Sequence, residues 1–111
     1  MPMIVAVKRI DFDDCTATID EFSEDMLAEA AQSSLEIGGF VMPPILIRKG
    51  NELNLSYKIL SGHFQCFAAR IARTIDPLKG ETIPAIVIRG DDPNLDLFFQ
   101  QLLYSKLYAD R

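Results

Sequence analysis

Cysteine and histidine are scarce in this chain of 111 residues, which has two cysteines, Cys15 and Cys66, and one histidine, His63. Two distant thiols exclude the stapled framework of a small secreted domain and read as reduced intracellular cysteines. A structural zinc site wants several ligands at close spacing, so no metal site is expected. Basic residues are also in the minority, 11 against 16 acids, giving a net charge of −5 and a pI near 4.7. Non-specific DNA binding is driven by lysines and arginines displacing phosphate counterions. The chain is therefore expected to associate with DNA only through a separate domain or a partner. No apolar run approaches the roughly twenty residues that span a bilayer, and the apolar opening of the chain is short and lacks the basic flank of a signal peptide. No membrane contact is expected, and the cytoplasm is the expected location. No repeat, low-complexity tract or composition break divides the sequence, which reads as a single domain over residues 1–111, either whole or a fragment of a longer chain.

What the sequence does contain is an abrupt change of period at Ser61-Gly62. Leu53, Leu55, Tyr57 and Ile59 alternate with Asn54, Ser56 and Lys58, whereas Phe64, Phe67, Ala68, Ile71 and Ile75 recur at helical spacing. A strand that turns through glycine into a helix leaves the first helical N–H groups unpaired, and with the helix dipole they make an anion site. Ser61, Gly62, His63 and Gln65 are the candidate nucleotide- or anion-binding residues there. On this reading Gly62→Val is expected to impair ligand binding more than folding, because a side chain would block the approach to the backbone. A histidine is chemically able to act as a general base, but His63 has no second histidine, Ser-Asp partner or adjacent acid, so a turn or capping role is expected and no catalytic residue is assigned. Cys66, one turn into the helix, reads as a small core side chain. Arg70 and Arg73 on the polar side of the helix, with Arg48 at the end of a strand expected beside it, are either a phosphate cradle or a solvated face. The acids Asp11, Asp13, Asp14, Asp20 and Glu21 lack the spacing of a calcium loop and suit an exposed connection.

Around this junction the sequence predicts a first strand over residues 3–9 and an irregular acidic connection over 11–21. A helix follows, capped by Ser23 and ended by Gly38-Gly39, with Met26, Leu27, Ala30, Ala31 and Leu35 as its apolar stripe. Strands over 45–48 and 53–60 flank a hairpin-like turn, Lys49-Gly50-Asn51-Glu52, and a last strand covers 83–88. The mixed order of strands and helices argues an α+β domain. The final helix is expected from about Pro93 onward, opening on Asp91-Asp92-Pro93-Asn94 as cap and first-turn proline, and carries more apolar residues than one face can hide. Leu95, Phe98 and Leu102, with Phe99 as a further candidate, can face the domain. Leu97, Leu103, Tyr104, Leu107 and Tyr108 are left over and are the candidate oligomer interface, so a homodimer is expected.

The stretch headed by Gly62 resembles the glycine-headed box of the ParB-like N-terminal domain, the module of chromosome- and plasmid-partitioning proteins, whose fold is shared with sulfiredoxin. The usual box is Gly-Glu-Arg-Arg, two variable residues and Ala-Ala. Gly62, Ala68 and Ala69 keep its frame, while His63, Phe64 and Gln65 occupy the places of the acid and both arginines. Upstream, the run from Gly39 to Arg48 is similar to the family's other box, with Pro44 and Arg48 matching, Pro43 in a glutamine's place and one extra residue. Pro84-Ala85-Ile86-Val87-Ile88 is similar to the next strand, and Gln100 and Gln101 fall where the family has a Glu-Asn pair.

The resemblance implies a small mixed sheet of ParB/sulfiredoxin type with flanking helices and a C-terminal helix. It implies a nucleoside triphosphate with Mg²⁺ as cofactor, and it adds Arg48, Gln100 and Gln101 to the binding candidates. Sulfiredoxin's nucleophile is a cysteine in a Gly-Cys-His-Arg run; His63 stands in that position here, so that chemistry is not expected. The function expected is a nucleotide- or partner-binding domain of a partitioning or other DNA-associated protein, without efficient catalysis. The alternatives are a small phosphoryl-transfer or nuclease-type enzyme of the same fold, and a pure oligomerisation module.

Overall fold

A computed structural model describes residues 2–13 and 19–109, with the side chains of Ile19 and of residues 105–109 left aside. Asp14 and Cys15 lie outside the described residues. The chain runs β1 (Met3–Ala6), β2 (Ile10–Asp11), α1 (Glu24–Ile37), β3 (Ile45–Lys49), β4 (Ser56–Ser61), α2 (His63–Ile75), β5 (Thr82–Arg89) and α3 (Leu95–Ala109). It is an α+β fold, as the sequence predicts. Among the described residues no helix is long and apolar enough to cross a membrane.

The strands form one mixed sheet in the order β1-β5-β3-β4-β2, with β3 parallel to β5 and antiparallel to β4. The expected single strand over residues 3–9 is two strands, because Val7–Arg9 make a 3-10 turn between β1 and β2. This break determines the shape of the sheet. β1 and β2 occupy opposite edges, yet only four residue steps join Ala6 to Ile10. Such a link reaches about 14 Å at most, whereas the outer strands of a flat sheet of this width would lie about 19 Å apart. The sheet must therefore curl.

The expected strand over 53–60 begins late, at Ser56, because the Asn51 side chain accepts hydrogen bonds from the N–H groups of Leu53 (2.9 Å) and Asn54 (3.0 Å) and holds that stretch as a turn. Helix α1 starts as predicted, with Ser23 Oγ accepting from Met26 N at 3.4 Å, and ends at Gly38, whose φ of +82° only glycine adopts easily. Met26 is not part of its buried stripe: it is exposed, and the inward residues are Leu27, Ala31 and Ser34.

One face of the sheet, with Val5, Leu46, Ile59, Ile83 and Ala85, packs on Cys66 and Ala69 of α2. A second cluster joins Leu27 of α1 to Phe67 and Ala68 of α2, with Phe12, Phe22 and Phe64 against it. The opposite face of the sheet meets α3 along a narrow seam, where Phe98, Gln101 and Leu102 enclose a crevice of about 150 Å³ with Ile45 and Ile88. Among the described residues no element packs extensively on α3, and Leu97, Leu103 and Tyr104 are 56%, 57% and 53% exposed. Leu107 and Tyr108 belong to the same helix, but their side chains lie outside the described residues.

Candidate functional site

The strand-to-helix junction forms where the sequence changes period. β4 ends at Ser61, Gly62 turns the chain with φ +86° and ψ +39°, and α2 begins at His63 with no side chain capping it. The first α-helical bond of this turn runs from Cys66 N to Gly62 O at 3.0 Å. The N–H groups of the preceding residues thus lie in the first turn, where an α-helix has no carbonyl of its own to offer them.

The reason for glycine at position 62 differs from the expected one. A β-carbon there would sit 2.8 Å from Pro44 Cα and 3.0 Å from Pro44 Cβ. The missing side chain faces the segment leading into β3, so a valine would disturb the fold itself before any ligand. Gln65 is committed to the same segment, its Nε2 donating to Met42 O at 3.1 Å. His63 Nε2 is sealed from solvent, so a ligand at the helix start would not meet that nitrogen. Phe64 packs edge-on against Phe22, with ring centroids 5.5 Å apart.

The candidates divide into two groups. Ser61 is paired in register with Ile45, so Ser61, Gly62, His63 and Gln65 gather at one end of β3, and Gln101 lies near the same end but across the sheet, in the crevice beside Ile45 and Ile88. Gln100 is exposed and, one residue earlier, points about 100° away round the helix. Arg48 is at the other end of β3, opposite Tyr57 and Arg89, three residue steps or about 10 Å along the strand. Arg70 does not turn toward the junction, because its guanidinium carbon lies 4.3 Å over the Phe12 ring and 5.3 Å from that of Phe67.

Sequence reading missed the aromatic group of Phe12, Phe22, Phe64 and Phe67, whose neighbouring rings lie 5.5–5.7 Å apart. Phe12 and Phe22 flank an acidic stretch without periodicity, so nothing local marks them as partners of α2. Cys66 is fully buried, as the helical spacing suggests. Among the described residues no three His, Cys, Asp or Glu side chains gather as metal ligands would. The junction offers backbone donors and a dipole to an anion, but its own residues, Ser61 to Gln65, supply neither a cation nor a carboxylate.

No protein-family model matches the sequence, and no curated protein does. Solved structures do. The chain is similar to the C-terminally truncated chromosome-partitioning protein ParB from Caulobacter crescentus complexed with CTP-gamma-S, at 21% identity and a TM-score of 0.56 over 83% of this chain and 46% of that one. It is also similar to the same protein complexed to the centromeric parS site, at 20% identity and a TM-score of 0.52 over 98% of this chain and 50% of that one. The chain spans about half the length of these structures, and the likeness makes its fold, a curled five-stranded mixed sheet with three helices, ParB-like.

Proposed function

We propose that this chain is a nucleotide- or partner-binding domain of a chromosome- or plasmid-partitioning, or other DNA-associated, system, without efficient catalysis. The observation that carries the reading is the opening of α2 behind Gly62 in the left-handed conformation, on a fold similar to one complexed with CTP-gamma-S. Helix starts of this kind receive phosphate groups through backbone N–H donors. Phosphoryl transfer further requires that several negative charges be neutralised in the transition state, normally by Arg, Lys and metal. His63, Phe64 and Gln65 give no such charge, so the box resembles a degenerate form that holds an anion without turning it over. A nucleoside triphosphate with Mg²⁺ remains the proposed ligand, its phosphates on the backbone of the α2 start.

With a net charge of −5, DNA association is assigned to a further domain or a partner. Isothermal titration with cytidine, adenosine and guanosine triphosphates, each with Mg²⁺, tests the nucleotide part. Saturable heat with one of them, and no phosphate release, is the expected result. Titrations without heat for all three would remove nucleotide binding and leave partner binding.

The exposure of Leu97, Leu103 and Tyr104 favours a second reading, in which α3 pairs two copies of the chain as an oligomerisation device. The two readings are compatible, since a ligand at the α2 start and a partner on α3 would occupy different faces.

A further inference from the structure

The two parallel strands at the centre of the sheet end in the same way. β3 runs out through Arg48-Lys49-Gly50, and β5 through Arg89-Gly90. Arg48 and Arg89 are register partners, so their side chains leave adjacent strands, about 4.8 Å apart, on the same face. It is the face that carries Leu46 and Val87 into the core two residues earlier. At the strand ends that face is uncovered, and both arginines are exposed.

A cleft of about 730 Å³ opens there, lined by Arg48, Lys49, Gly50, Arg89, Gly90 and Asp91. Its volume is that of a small-molecule site, and its place is where open sheets with parallel strands hold ligands, outside their carboxyl ends. Gly90 N donates to Arg48 O at 3.2 Å, and a β-carbon on Gly90 would lie 3.0 Å from that oxygen. The two strand ends are therefore held to each other backbone to backbone where the cleft opens.

Like charges directly opposite one another on a sheet are unfavourable, and little here offsets the pair. Asp91 meets Arg89 at 3.2 Å, but their side chains are 73% and 75% exposed, which makes the bridge weak. Lys49 reaches Asp11 at 3.4 Å. Arg48 has no ion pair among the described residues.

We propose that Arg48 and Arg89 form a binding site for a phosphate ester, separate from the start of α2. Guanidinium forks match phosphate oxygens two at a time, and two forks on neighbouring strands can hold one phosphate between them. The lining contains no apolar or aromatic side chain, and with both guanidinium groups turned to a phosphate the cleft leaves a base no surface to stack on. It suits a hydroxyl-rich ester, a sugar phosphate, with Asp91 as acceptor for a hydroxyl. The same sugar-phosphate chemistry occurs free and in the backbone of a nucleic-acid strand.

The test is a titration of the isotope-labelled full chain at low salt, followed by amide resonances, with glucose 6-phosphate, with a short single-stranded oligonucleotide, and with glucose as the uncharged control. Saturable shifts at Gly50 and Gly90 with either phosphate probe are expected, with glucose giving none. Response to glucose 6-phosphate assigns the free ester, and response to the oligonucleotide alone assigns the nucleic-acid backbone. In Arg48→Gln/Arg89→Gln, whose altered side chains are exposed, the apparent Kd should rise by about tenfold or more. The proposal is overturned if Gly50 and Gly90 stay still with both phosphate probes, if glucose shifts them equally, or if the shifts survive the double substitution. Phe64 and Gln65 report the α2 start in the same spectra, so each site stands or fails by itself.

Discussion

Gly62 and Pro44 meet so closely that a β-carbon on the glycine would lie 2.8 Å from the proline Cα. Two costs coincide at this position. The φ of +86° strains any L side chain, by about 1–2 kcal/mol, and the contact with Pro44 adds to it. Gly62→Ala should lower unfolding free energy in urea by on the order of 2 kcal/mol or more. Gly62→Val should lose more still. An alanine variant as stable as the parent would show that the segment entering β3 yields freely and that the close contact has no structural weight.

Arg70 provides a test of the aromatic group. With its guanidinium carbon 4.3 Å over the Phe12 ring, Arg70→Met keeps the aliphatic stem and removes the charge. A double-mutant cycle with Phe12→Leu should give a coupling of about 0.5–2 kcal/mol. Coupling near zero would mean that the side chains are only neighbours.

Cys66 is fully buried among Leu46, Ile59 and Ala69. In a Cys15→Ser background, the native chain should react with a thiol reagent such as dithionitrobenzoate only as fast as it unfolds, and promptly in urea. Prompt reaction without denaturant would place Cys66 outside the core.

The exposed side of α3 makes the proposed self-association testable. Fully burying a large apolar side chain contributes about 1.5–3 kcal/mol, and Leu97, Leu103 and Tyr104, each about half exposed, offer part of that from each of two chains against the entropy of joining them. The parent should sediment as a dimer, and Leu97→Glu/Leu103→Glu as a folded monomer. A parent that stays monomeric at high concentration would refute self-association through this helix.

The parts of the fold that were legible in the sequence are those governed by local chemistry. Ser23 and Gly38 bound α1 because caps are short-range, and Gly62 marks the strand-to-helix turn because both periods are visible beside it. The break at Val7–Arg9 was not legible: these residues continue an apolar-looking strand, and only the demand that β1 and β2 lie on opposite edges bends them. Arg48 was expected beside the α2 start because β3 was expected to run past it. It does, but antiparallel to β4, so Ile45 meets Ser61 and Arg48 is carried to the far end. The hairpin expected between β3 and β4 already implies that antiparallel arrangement, whereas the pairing of β3 with β5 joins segments far apart in the chain, which no single window of sequence contains. Arg89 escaped notice for the same reason, since nothing before the β3–β5 register makes it a neighbour of Arg48.

The short turn between β1 and β2 makes one small segment the guard of both rims. Residues 3–6 cover the outer edge of β5, and residues 10–11 cover the outer edge of β4. Strand edges left bare recruit other strands. If this leading segment peels away, it exposes both flanks of the remaining three strands at once, and a chain that is merely frayed at its beginning becomes one prepared to polymerise from either side.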